Sequence, residues 1–206
     1  GSAGTALTTI EVPGLARARL NQNLAPKDGQ RVIQMESTAM AGIVNGSKAL
    51  FHDGGQLKEA FREGFISRNS MADWYENDRM WTLPNAADVA GEIDGGTLTS
   101  GITSLTMDGM SAAPVAGMVF TIESVYDVHP ETKTAYPYLK QFTVGTGSTT
   151  TNLVFTPAVI YDTANPRQNA SGTPADNANL VFVGSASTNY VQQLMYHKEA
   201  FQFITA

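Results

Sequence analysis

Apolar positions follow two different spacings along the chain. Over residues 7–24, Leu15, Leu20 and Leu24 share roughly one face at helical spacing. Thr8 or Thr9 is placed to cap that helix, Glu11 falls in its first turn, and Pro13 is tolerable only near the start. Pro26-Lys27-Asp28-Gly29 reads as a turn, and RVIQM over 31–35 as a short strand. Ser37 is placed to cap a second helix, with Met40, Ile43 and Val44 at helical spacing and Asn45-Gly46 at its end. A third short helix is predicted over 56–63, with Leu57, Ala60 and Phe61 on one side. Strand pieces are predicted at 66–67 and at Trp74-Tyr75.

Residues 84–101 hold a Pro, several Gly and few large apolar side chains, which predicts a linker. Beyond it the spacing changes. Short β-branched and aromatic runs at 104–107, 118–125, 138–144, 153–160 and 180–184 are separated by turns. They suit a small sandwich or barrel. Residues 145–151 read as a flexible hairpin tip. The stretch YDTANPRQNASGTPADNA, 161–178, has little to bury and is expected to be the most mobile ordered segment. No repeat recurs at a fixed period.

Charge marks the same division. Residues 1–94 hold 21 Asp, Glu, Lys and Arg, whereas 95–190 hold nine together with 16 Thr. The end of the chain turns amphipathic and charged again. This order predicts an α+β domain, 1–94, interrupted by an all-β insertion, 95–188, with 189–206 returning to the first domain. Val191, Leu194, Met195, Phe201 and Phe203 are expected to pack back into that domain, with Phe201 buried deeply enough for its loss to cost ~3–5 kcal/mol. The junctions near Gly95 and Ser187 are expected to lie close together. The chain opens on GSAGT, not on Met; a processed protein, a tagged chain and an excerpt of a longer protein are the readings of that start, and the excerpt is favoured.

Charged residues make up 16% of the chain, below the usual ~25%, and Thr, Ser, Asn, Gln and Gly fill the deficit. Uncharged polar surface suits contacts between proteins, where desolvating a charge is costly. The net charge is −6, and Lys and Arg do not cluster along the sequence, which argues against a phosphate-neutralising patch. There is no Cys, so disulfide and thiolate chemistry are excluded. No apolar run approaches the ~20 residues of a membrane-spanning helix.

The candidate chemistry is sparse. His52 lies beside Asp53 in a Gly-rich loop. Asp127, His129 and Glu131 would share one strand face as metal ligands, but Pro130 argues for a turn. His197 precedes Lys198-Glu199 and reads as a capping or packing residue. Asp73, Glu76 and Asp78 surround Trp74 and Tyr75. An acid-base pair or an aromatic carbohydrate cleft is one reading of that cluster, and the outer face of a strand is the other. Asn169-Ala170-Ser171 matches a glycosylation acceptor pattern. The eight Met read as core filler. No nucleophile elbow, phosphate loop, dinucleotide fingerprint or zinc-protease motif is present. No catalytic, cofactor or metal residue is assigned, and the chain is expected not to be an enzyme.

AGMVFTIESVYDVHPETK, then YLKQFTV, LVFTPAVI, NASGTPADNA and QLMYHKEAF resemble, in that order, the major coat proteins of tailed phages and prophages of the P-22-like type. Upstream, LARARLNQNLAPKDGQRVIQM and FREGFISRNSMADWYEND resemble the same family. The resemblance spans about Leu15 to Phe203. It implies part of a Hong Kong 97-type capsid core carrying an inserted β-barrel. It further implies self-assembly into hexamers and pentamers of an icosahedral head, and scaffolding and portal proteins as partners. The DNA would be enclosed without sequence-specific binding, in a virion assembled in the bacterial cytoplasm. Another virion part, tail or decoration, is the alternative within the same class. A carbohydrate-binding or hydrolytic module built on Trp74 and Tyr75 is the alternative outside it.

Overall fold

A computed structural model describes residues 3–47, 72–95 and 98–201. The helix predicted at 56–63, the strand piece at 66–67, His52 and Phe203 lie outside the described residues. The chain divides into two compact units: Ala3–Thr82 with Val191–Ala206, and Leu83–Tyr190. Most of the regular structure is β, and two α-helices are described.

The flanking unit is a small sheet with helices. Strand β1 (Arg31–Met35) runs parallel to β2 (Ala72–Glu76) on one edge. It runs antiparallel to β11 (Leu194–His197) on the other, with Ile33 opposite Met195. Residues from both ends of the chain therefore share one sheet. Helix α2 (Ser37–Ser47) follows β1 directly, starting from a hydrogen bond between the Met40 amide and the Glu36 carbonyl. Met40 and Ile43, one turn apart, join Ile33, Met35, Ala72 and Trp74 in a buried cluster. Leu7, Ile10, Val44 and Met195 pack around it. The segment before α1 crosses α2 at close range. A Cβ on Gly46 would stand 1.6 Å from the Thr8 carbonyl oxygen, so only Gly permits that approach.

Helix α1 (Glu11–Gln22) departs from its expected form. It starts at Glu11, and its N-cap is Ile10 with no side-chain hydrogen bond, so neither Thr8 nor Thr9 caps it. Pro13 lies in the first turn and is its buried residue. Leu15 and Leu24 are exposed, so the predicted Leu15/Leu20/Leu24 face is not the packed one.

The second unit is a closed six-stranded barrel in the order β4-β5-β8-β7-β6-β9. Its strands are β4 (Ala90–Ile93), β5 (Ile102–Asp108), β6 (Val119–Val128), β7 (Ala135–Val144), β8 (Asn152–Val159) and β9 (Asn179–Phe182). Closure leaves no open sheet edge. Inward positions recur with period two, as Leu105 and Met107 on β5, Phe142 and Val144 on β7, and Leu153 and Phe155 on β8 show. Four Phe fill the centre. Phe120 sits 5.6 Å from Phe142, 5.7 Å from Phe155 and 5.4 Å from Phe182, between ring centroids. On β6 the alternation slips. Phe120 and Ile122 face in, Glu123 and Ser124 are both exposed, and burial resumes at Val125. Ser124 has φ +62°, and the pairing register with β7 shifts here, the marks of a bulge that re-aims the rest of the strand.

Three expectations for this unit are corrected. Residues 84–101 are not a linker throughout, because β4 closes the barrel between β5 and β9. Gly91 hid that strand. A Cβ there would meet the Met110 side chain at 2.7 Å, so its Gly serves close packing inside a strand. Residues 161–178 are fastened, not loose. The Asn169 side chain accepts from the Ile160 amide and donates to the Ala158 carbonyl, and Lys133 Nζ donates to the Pro166 carbonyl at 2.6 Å. Ala170 is fully buried and bridges to Asp127. Polar side chains here supply backbone partners that a regular strand would otherwise provide. The 145–151 tip is likewise closed, by Ser148 Oγ accepting from the Val154 amide and Thr149 Oγ1 from the Asn152 amide.

The chain leaves and re-enters the barrel along one ribbon, β3 (Thr82–Pro84) paired with β10 (Asn189–Val191). The division thus falls near 82 and 191, outside the expected 95 and 188. At the barrel end of the ribbon, buried Asn85 donates from Nδ2 to the carbonyls of Val183 and Ser185. The Ser185 amide donates to the Tyr190 hydroxyl, 2.8 Å away.

Asp88 staples β4 to the loop after β5. It accepts from the Ser111 amide at 2.7 Å, the Ser111 hydroxyl at 2.9 Å and the Ala90 amide at 3.2 Å. These donors, Ser111 first, hold its carboxyl below the ordinary Asp range. Its folded pKa is depressed, so its stabilisation is present above the unfolded value and is lost as pH falls through the folded value. Asp88→Asn is therefore expected to narrow its stability gap from the parent chain as pH drops below ~4. Urea titrations at several pH values measure this, and a gap that is constant or widens in acid would contradict it.

Candidate interaction surface

The flanking unit carries an open apolar groove of about 100 Å³. Leu7 and the Val12, Pro13 and Ala16 side of α1 form one wall. Ile33 and Met35 of β1 contribute the next part, and Gln193, Leu194 and Met195 close the other side. Local sequence explains the shape. Ala16 and Pro13 are small or compact where α1 faces the sheet, so the helix does not fill the space over β1. Gln193 is held as a strut, its Oε1 accepting from the Glu36 amide at 2.9 Å. Leu194 is 46% exposed at the rim.

Further large apolar side chains stand in water on this unit: Leu15, Leu24, Tyr75, Trp81, Val191 and Phe201. Phe201 is 69% exposed and meets only the edge of the Tyr196 ring, at 5.1 Å between centroids, among the described ring contacts. The expected burial of Phe201 is thus corrected. The return of the chain is made by β11 pairing with β1, and Phe201 beyond it stays outside. Groove and exposed apolar side chains offer burial to another surface and no acid-base chemistry.

The described sequence-predicted chemical residues do not converge on one site, and several have structural partners. His129 Nδ1 accepts from the Glu131 and Thr132 amides, closing the β6–β7 turn, and Asp127 pairs with Lys140 at 2.8 Å. Among the described residues, no group of three or more His, Asp or Glu is arranged to hold a metal. Asp73 accepts from Lys198 Nζ and Asp78 from the Ser37 hydroxyl. Trp74 is 2% exposed, inside the core, so it cannot line an aromatic cleft with outward Tyr75. His197 caps the turn Lys198–Ala200, accepting from the Glu199 amide. Its Nε2 meets both carboxylate oxygens of Asp28, at 3.0 and 3.1 Å. The Asn169 amide is engaged at both ends, which takes the acceptor pattern there out of use as a modification site in the folded chain. No described helix is long and apolar enough to cross a membrane.

No protein-family model matches the chain, and no curated protein does. Among solved structures it is similar to one described as the CUS-3 coat protein I-domain. The two share 21% identity over 48% of this chain and 99% of that one, with a TM-score of 0.38.

Proposed function

We propose that this chain is the barrel-bearing part of a coat protein of a tailed phage or prophage, a non-enzymatic subunit that builds the icosahedral head. The flanking unit would belong to a Hong Kong 97-type core, and copies of the protein would be its main partners, in hexamers and pentamers. Scaffolding and portal proteins would join during assembly in the bacterial cytoplasm. The DNA would be enclosed without sequence-specific contacts.

One observation carries the reading. A closed barrel interrupts a chain whose two flanks meet in a single sheet, β11 against β1. That is the arrangement implied by the ordered series of coat-like segments in the sequence. The apolar groove and exposed ring of the flanking unit support it, since side chains of that kind suit burial between protein copies. Expression of the full-length gene product, followed by sedimentation and negative-stain electron microscopy, tests it. Closed particles of uniform diameter are expected. A product that stays monomeric, or that forms only tubes or fibres, would overturn the proposal.

A further inference from the structure

Lys and Arg are scattered along the sequence, yet the fold gathers three of them around one cavity of the flanking unit. Arg17 and Asn21 lie one turn apart on α1, Lys27 and Gly29 come from the turn after it, and Arg31 opens β1. They line a space of about 30 Å³. That is the space open to the centres of water-sized groups, so the surrounding cavity is larger and takes a group of a few heavy atoms.

Arg31 is 2% exposed, and its guanidinium is permanently charged. Nε donates to the Pro26 carbonyl, and Nη2 donates to the carbonyls of Ala25 and Pro26. Nη1 makes no hydrogen bond among the described residues, and no described carboxylate stands within salt-bridge distance of Arg31, Arg17 or Lys27. The nearest acid in sequence, Asp28, is committed to the Gln30 amide and to His197. A buried charge is costly unless a counter-charge and hydrogen bonds offset it. Asn21 Oδ1 is also buried without a partner. Turning that amide over presents a donor from the same place.

We infer that this cavity is an oxyanion site, built for one phosphate group held by Arg17, Lys27 and Arg31. Three cations suit a group that is a dianion near neutral pH, and the free edge of the Arg31 fork supplies a charge-assisted hydrogen bond. The ligand is inorganic phosphate or the phosphate end of something larger. This reading runs against the sequence expectation, which argued against a phosphate-neutralising patch. It does not depend on the coat proposal.

Calorimetric titration of the chain with inorganic phosphate at constant ionic strength is the test, with acetate in a parallel arm. Saturable phosphate binding is expected, at least about tenfold weaker in the Arg17→Met/Lys27→Met double variant. Arg31→Lys, which keeps the charge and loses the fork, is expected to weaken it further. If that variant fails to fold, the double variant still decides, because Lys27 is exposed and Arg17 only half-buried. Absence of saturable binding, equal affinity in the double variant, or acetate binding as tightly as phosphate would each overturn the inference.

Discussion

Phe120→Ala is expected to destabilise the barrel by about 3–5 kcal/mol, the range for emptying a large buried aromatic site. Phe120 is fully buried, and three other Phe rings stand within 5.7 Å of it between centroids. Those rings come from β7, β8 and β9, so the cavity would open where four strands meet and where little can move in to fill it. Urea unfolding followed by a barrel-specific signal measures the loss. A change under ~1 kcal/mol would mean that the rings do not form the packed centre of this unit.

The second large effect lies where the ribbon joins the barrel. Gly184→Val is expected to cost about 2–5 kcal/mol, from two causes that act together. The backbone there has φ +104°, a region that costs a side-chain-bearing residue ~1–2 kcal/mol. A Cβ would also stand 2.5 Å from Tyr190 Cε2 and 2.6 Å from Asn85 Nδ2, and overpacking of that kind costs ~1–3 kcal/mol. Asn85 and Tyr190 hold the barrel end of the ribbon, so the variant would loosen the clasp as well as strain the turn. Gly172→Ala is the control, since nothing lies within 4 Å of its Cβ position. It is expected to stay within ~0.5 kcal/mol of the parent chain. Equal effects at the two positions would contradict the clasp.

The parts of this fold that were legible in the sequence are those with dense local signal. Strands β5 to β9 announce themselves by β-branched and aromatic runs, and RVIQM by its apolar pattern. Strand β4 did not, because AGEI contains a Gly whose purpose is the approach of Met110, a contact visible only in three dimensions. The fastened 161–178 loop was misread for a similar reason. Asn, Ser and Gly are counted as disorder-prone when they have no partners, and here Asn169 and Ser171 find theirs on β8 and β6. Helix α1 misled in the opposite way. Its Leu residues made the obvious face, while the groove is bounded by Val12, Pro13 and Ala16. The cation cluster was hidden because Arg17, Lys27 and Arg31 come together only through the turn after α1. At the end of the chain the sequence showed neither the pairing of β11 with β1 nor the exposed position of Phe201, since an apolar side chain at a surface looks the same in sequence as one in a core.

The central claim is that this chain is a shell subunit interrupted by a barrel. A cryo-electron microscopy reconstruction of particles made by the full-length gene product tests it most directly. The account predicts a closed icosahedral shell with one six-stranded barrel per subunit, its chain leaving the shell domain at 82–84 and returning at 189–191. A shell built by a different protein, with this chain bound outside it or confined to a tail, would contradict the account.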